Sequence, residues 1–178
     1  MHNKSLKFFC YIDNLDNKLI NNLPKNTTVI YRNYKESPNI ETILKIKKAC
    51  YNKRLKFFLS NNVKLAIQLK LDGAYIPSFN KQLNFNSFNF RNRFELIGSA
   101  HNLREIRIKE LQKVKCIFLS PLFASKKNKN YLGIYRFLEL MKKTKRKIVC
   151  LGGITKSNIR KIKNLNLYGV ASISYFKN

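Results

Sequence analysis

Lys147-Ile148-Val149-Cys150-Leu151-Gly152-Gly153-Ile154-Thr155 is the stretch on which the fold turns. An apolar, β-branched run closes on two glycines and then a Thr of helix-capping type, the pattern of a strand that passes directly into a helix. Such a turn directs several backbone N–H groups at one spot and suits an anion such as phosphate. Two other strand ends are built alike, Leu119-Ser120-Pro121 and Ser172-Ile173-Ser174. Three strand ends carrying small or hydroxyl residues, separated by helical patterns, predict a barrel whose rim holds a phosphorylated ligand.

Outward from that turn, short apolar runs recur roughly every 20 to 30 residues, with helical patterns in most of the gaps. The predicted strands are Leu6–Ile12, Thr28–Arg32, Leu55–Leu59, Gly73–Ile76, Phe94–Gly98, Cys116–Ser120, Ile148–Leu151 and Gly169–Ile173. Runs such as Phe57-Phe58-Leu59 and Ile117-Phe118-Leu119 are apolar throughout, as strands buried on both faces of a parallel sheet must be. A helix over 39–52 follows Ser37-Pro38, with Ser as cap and Pro in the first turn, and carries Ile40, Ile43 and Leu44 on one face. The helix over 134–143 carries Ile134, Phe137, Leu138 and Met141. Asn102 with Glu105 reads as a capping box opening 102–113, Thr155 opens a helix near 156–164, and 80–92 reads as a loop or one irregular helical turn. The expected fold is α/β, a compact (β/α)8 TIM-type barrel lacking the last helix and spanning 1–178 as one domain. An open doubly wound sheet is the alternative. Without an eighth helix, the wall beside strands one and eight has no helical cover, and a homodimer contact could supply it.

Composition narrows the function. Hydrophobic residues at 44% exclude disorder, and no apolar run reaches the length of a membrane span. Met1-His2-Asn3-Lys4-Ser5 lacks the apolar block of a signal peptide, so a cytoplasmic location is expected. The net charge of +27 would ordinarily point to nucleic acid. Here the charge is mostly Lys scattered over polar helix faces, in the company of abundant Asn, Ile, Phe and Tyr, which reads as surface filling under a low-GC coding bias. Phosphorylated small molecules, not nucleic acid, are therefore the expected partners, and the positive field would concentrate such anions. Cys10, Cys116 and Cys150 fall in predicted strands and Cys50 in a predicted helix, with no Cys-x-x-Cys pair, so they read as buried free thiols.

Gly98-Ser99-Ala100-His101-Asn102, Leu119-Ser120-Pro121-Leu122-Phe123 and Leu151-Gly152-Gly153-Ile154, in that order and spacing, resemble the thiamine phosphate synthase family, which includes the TenI-type thiazole tautomerases. The likeness is to a divergent proteobacterial branch and spans nearly the whole chain. It implies a (β/α)8 barrel with its site at the C-terminal strand ends, where a pyrimidine methyl diphosphate is joined to a thiazole phosphate with release of pyrophosphate and the help of Mg2+. By that resemblance Arg32 matches the arginine of a Gln-x-Arg-x-Lys pattern that grips the diphosphate, with Lys35 one place beyond the expected Lys. Ser60 and Asn61 stand where the family has Asn-Asp, and Asn80 stands near its second metal carboxylate. Two neutral amides at these metal positions weaken a magnesium site, and Arg32, Lys126 and Lys127 are expected to neutralise the diphosphate with less metal.

Ser99 matches the serine of the fifth strand. Ser125 replaces the first Thr of the loop after strand six, and Lys126 or Lys127 stands in for that loop's Lys. Gly152, Gly153 and Ser174 match the thiazole-phosphate cradle, and His101, at a strand end, reads as a cap or hydrogen-bonding group. The tautomerase chemistry calls for a histidine after strand six, where this chain has Pro121, so synthase activity ranks above it. A family member that binds a thiazole phosphate without turnover is the competing reading.

Overall fold

Eight apolar runs of four to six residues form eight parallel strands, each buried on both sides, and hydrogen bonding runs β1 to β8 in chain order and back to β1. The computed structural model describes residues 6–124, 129–162, 164–172 and 175–176. The strands are β1 (Lys7–Ile12), β2 (Thr27–Tyr31), β3 (Lys56–Ser60), β4 (Gly73–Ile76), β5 (Glu95–Ala100), β6 (Cys116–Leu119), β7 (Lys147–Leu151) and β8 (Gly169–Ser172). Closure is made by β1 against β8, with Lys7 opposite Gly169 and Cys10 opposite Ser172. It excludes the open sheet.

Alternation along each strand divides the apolar side chains into two sets. Phe9, Tyr11, Ile30, Phe58, Tyr75, Ile97, Cys116, Phe118, Val149 and Ala171 point inward and fill the barrel. Their neighbours Cys10, Val29, Phe57, Ala74, Ile117 and Cys150 point outward and pack beneath the helices. Aromatic rings do most of the filling: Phe9 meets Phe118 at 4.8 Å, and Tyr75 meets Phe118 and Tyr11 at 5.5 Å each, all edge to face. Such bulk is accommodated because other inward positions carry no side chain. A Cβ on Gly73 would lie 2.2 Å from Phe58 Cε1, and one on Gly169 would lie 2.9 Å from Phe9 Cε2.

The ring closes in so few residues because its outer layer is thin. Only α2 (Ile40–Asn52), α4 (Leu103–Leu111) and α5 (Gly133–Lys142) are substantial, whereas α1 (Asn17–Asn22) and α3 (Val63–Gln68) have six residues each. The β4–β5 connection holds one 3-10 turn, Asn84–Ser87, within the segment read as a loop or an irregular turn. The helix expected near 156–164 is instead a 3-10 turn, Ile159–Ile162. Thr155 does not cap it: its hydroxyl pairs with Ser157, and the Asn158 side chain accepts from the Thr155 N–H. In α2 the cap is Asn39 and not Ser37, since its Oδ1 accepts from Thr42 N. Ile43 is buried on this helix together with Ile46 and Cys50, while Ile40 and Leu44, expected on the same face, are exposed. No helix follows β8 among the described residues. Tyr175 and Phe176 fold back instead, stacking on and edging against Phe8 of β1. Among the described residues, no helix is long and apolar enough to cross a membrane.

At the N-terminal mouth, Glu95 accepts from Lys115 at 2.6 Å and Lys56 at 2.7 Å, while Lys7 and Lys147 lie over the Tyr168 ring. Burial works against the Glu95 charge, but the two lysines outweigh it and hold the carboxyl below its usual 4.5. A depressed carboxyl contributes stability above its unfolded value and loses it as pH falls through the folded one. Glu95→Gln is therefore expected to cost about 1 kcal/mol at neutral pH. Urea midpoints of the two proteins should converge as pH is lowered from about 5 to about 3.

All four cysteines are buried thiols outside any disulfide. Burial pushes the thiols of Cys50, Cys116 and Cys150 up to about 12. At pH 8 the native protein is expected to resist a chromogenic disulfide reagent, with four thiols titrating at once after denaturation.

Candidate functional site

Several inward positions at the C-terminal ends of the strands are polar, Arg32, Ser60, Ser99 and Ser120 among them, in contrast to the aromatic layer below them. Tyr11 and Tyr75 form the floor. Both phenols are raised by burial; Ser99, buried on β5, pulls that of Tyr75 back down, whereas Tyr75 itself raises that of Tyr11 further. The Tyr11 hydroxyl finds no hydrogen-bond partner of good geometry among the described residues. Arg32, one residue beyond β2, lies with its guanidinium 4.6 Å above the Tyr11 ring, so its charge is held at the rim by a cation–π contact.

Around this floor the strand ends contribute in turn. After β2, Tyr34 bonds through its hydroxyl to Ser60 Oγ at 2.7 Å and sets its ring against Phe79 at 5.6 Å, joining the β2, β3 and β4 loops. Asn61 follows β3 in the left-handed region at φ 58, and its Oδ1 accepts from Asn80 Nδ2 at 2.8 Å. Asn80 Oδ1 in turn accepts from Gln82 N. Beyond β5, Asn102 caps α4 as expected by accepting from Glu105 N, while Glu105 reaches back one residue beyond the cap, to His101 N, and accepts from the Asn102 side chain. The His101 ring lies against Ser120, Nδ1 being 2.8 Å from its carbonyl and 3.2 Å from Oγ. A carbonyl only accepts, so Nδ1 is the donor in that contact.

The double-glycine turn packs against the loop after β6. Gly152 and Gly153 have φ of 96° and 66°, and a Cβ on Gly153 would lie 2.5 Å from the carbonyl oxygens of both Phe123 and Ala124. Backbone bonds from Leu122 to Leu151 and from Phe123 to Gly152 seam the two loops, and Asn158 donates to the Gly153 carbonyl. Ser172, at the end of β8, ties in by donating to Ile154 O. The glycines are therefore required by close backbone approach and by their left-handed backbone. Arg32, Ser60, Asn61, Asn80, Ser99, His101, Gly152 and Gly153 all lie at this one end of the barrel. Ser125, Lys126, Lys127 and Ser174 lie outside the described residues.

Beneath the β4 loop sits a group with no counterpart among the residues that the sequence singles out. Lys109 of α4 is wholly buried, and its ammonium donates to Pro77 O (2.8 Å), Asn80 O (2.9 Å) and Gln112 Oε1 (2.8 Å). Gln112 Nε2 donates to Asn80 O and Gln82 O. Burial pushes the Lys109 ammonium down to about 8, with Glu105 pulling the other way. A lysine near the end of a helix reads as solvated; the signal that it is not is Gly98, where a Cβ would lie 2.9 Å from Lys109 Cδ.

The magnesium implied by the resemblance does not suit Asn61 and Asn80. Both are neutral, and each amide oxygen already accepts a hydrogen bond. No group of three or more His, Cys, Asp or Glu residues that could hold a metal ion occurs among the described residues.

The family model described as thiamine monophosphate synthase matches residues 16–176. Thiamine-phosphate synthase of Prochlorococcus marinus is 28% identical over 158 residues, covering 85% of this chain and 45% of that protein. The Helicobacter pylori strain HPAG1 enzyme of the same name is 29% identical over 140 residues, covering 74% of this chain and 61% of that one. The chain thus spans about half to three fifths of these two relatives' own length. Thiamine phosphate pyrophosphorylase from Pyrococcus furiosus superposes with a TM-score of 0.77 at 18% identity over 96% of this chain and 86% of that one. The citrate synthase SbnG reaches 0.68 at 8% identity, covering 97% and 87%. At such identities the likeness of shape shows the barrel alone.

Gly153→Ala is expected to destabilise the protein by about 2 kcal/mol, combining a left-handed backbone with the close approach to Phe123 and Ala124. Chemical denaturation measures it, and Gly133→Ala serves as the control, since it shares a positive φ of 70° without a close neighbour.

Proposed function

Because the chain belongs to the thiamine monophosphate synthase family, we propose that it joins a pyrimidine methyl diphosphate to a thiazole phosphate, releasing pyrophosphate. The observation that carries the reading is one barrel end combining the double-glycine turn with an arginine held over the tyrosine floor. In the reaction, the bond between the pyrimidine methylene carbon and the diphosphate oxygen breaks, and the oxygen keeps the electron pair. The thiazole nitrogen then donates its lone pair to the methylene carbon, so no proton changes hands.

The protein's work is to hold the two partners in line and to stabilise the leaving anion. Arg32 is assigned to the diphosphate, with Lys126 and Lys127 as the further cations that the sequence offers. Gly152, Gly153 and Ser174, with Ser125, are assigned to the thiazole phosphate. Ser60 and Asn61 border the diphosphate side, and Ser99 and His101 lie between the two. The aromatic floor closes the site from below and keeps the cationic methylene from water. Asn61 and Asn80 do not make a site for magnesium, so the diphosphate charge falls to Arg32 and the lysines. Self-association over the outer wall of β1 and β8 would compete with Tyr175 and Phe176 for the face of Phe8.

Mixing the purified protein with both precursors and following thiamine phosphate by mass spectrometry tests the reading. Arg32→Met is expected to lower kcat/KM by about 10²-fold. The Asn61–Asn80 amide pair favours a second reading, binding without turnover. Thermal stabilisation by thiazole phosphate with no product in the mixed assay would decide for it.

A further inference from the structure

A divalent ion between two strand-end carboxylates does two things: it supplies charge, and it fixes the two loops relative to each other. The second task is already done here by other means. Asn61 and Asn80 bond directly at 2.8 Å, and the backbone of Asn80 is anchored from below by the Lys109 ammonium and the Gln112 amide. Three oxygens surround the Lys109 ammonium at 2.8–2.9 Å with no carboxylate bonded to it, an oxygen cage around a monovalent cation. Its stem reaches that point past Gly98, where any side chain would block it. The chain from α4 to the rim is continuous: Lys109 and Gln112 to Asn80 O, Asn80 Nδ2 to Asn61, then Ser60 to Tyr34 on the β2 side.

We propose that Lys109, with Gln112, is a positioning residue that presets the rim loops after β3 and β4 in place of a metal ion, so that the site is ordered without magnesium. The importance of those loops to turnover rests on the function proposed above; their order does not. The cage also explains why an uncompensated lysine is tolerated in the core. The ammonium is a second donor to Pro77 O and Asn80 O, which also accept from Asn80 N and Gln112 Nε2, and these oxygens with Gln112 Oε1 replace its water.

The test reads the free protein by amide hydrogen exchange across 77–83 and by thermal unfolding, in EDTA and in millimolar magnesium. The wild type is expected to give the same exchange and the same Tm in both. Lys109→Met should speed exchange of the Asn80 and Gln82 amides at least tenfold while leaving β7 and β8 unchanged, and Lys109→Arg should restore part of the protection. If the apolar variant fails to fold, Gln112→Met removes two of the donors and leaves the lysine in place. The double variant Asn61→Asp with Asn80→Asp should lose protection in EDTA and regain it with magnesium. Protection or Tm in the wild type that depends on magnesium would overturn the proposal. So would unchanged loop exchange in both Lys109→Met and Gln112→Met. No substrate enters these measurements, so a failed coupling assay does not alter what they decide.

Discussion

The constraint on which the rest depends is the filling of the barrel axis. Strands of four to six residues supply few ladder bonds apiece, so the ring stays closed because its interior is packed. Phe9, Phe58, Phe118, Tyr75 and Tyr11 do that packing with large rings, and Gly73 and Gly169 yield the space the rings need. Small branched residues would have required more layers and longer strands. The aromatic solution shortens the barrel, and with it the helices that must cover it.

The same filling sets the chemistry above it. Tyr11, at the top of the stack, gives Arg32 a ring face to lie on, and among the described residues Arg32 forms no salt bridge with a carboxylate. A guanidinium held by a ring face keeps its donors for a ligand, whereas one in a salt bridge has already committed them. With 9 acidic residues against 36 basic ones, the chain leaves few carboxylates to compete for that role. Amides and an ammonium do the internal tying instead.

Much of this was legible in the sequence, and the parts that were not have physical reasons. The turn at Gly152-Gly153 and the Asn102 cap of α4 are local devices whose residue types state their geometry. The strands were found to within a residue or two because runs apolar on both faces leave little choice. The helices α1 and α3, at six residues, are shorter than the window in which periodicity can register. The cap of α2 was misplaced because Ser37 and Asn39 are both capping types, and only the tertiary face, Ile43 with Ile46 and Cys50, selects between them. Lys109 was invisible for a deeper reason: its partners are backbone carbonyls of a distant loop, which have no residue type to read.

The plug of rings also makes the molecule two-ended. The lower mouth, with its lysines gathered on Glu95 and Tyr168, is separated from the upper one by the buried layer of rings. Selection can therefore redraw the underside, in charge or in stability, without the alteration being felt where ligands dock. Within a single small ring of strands, durability and chemistry are free to evolve on separate schedules.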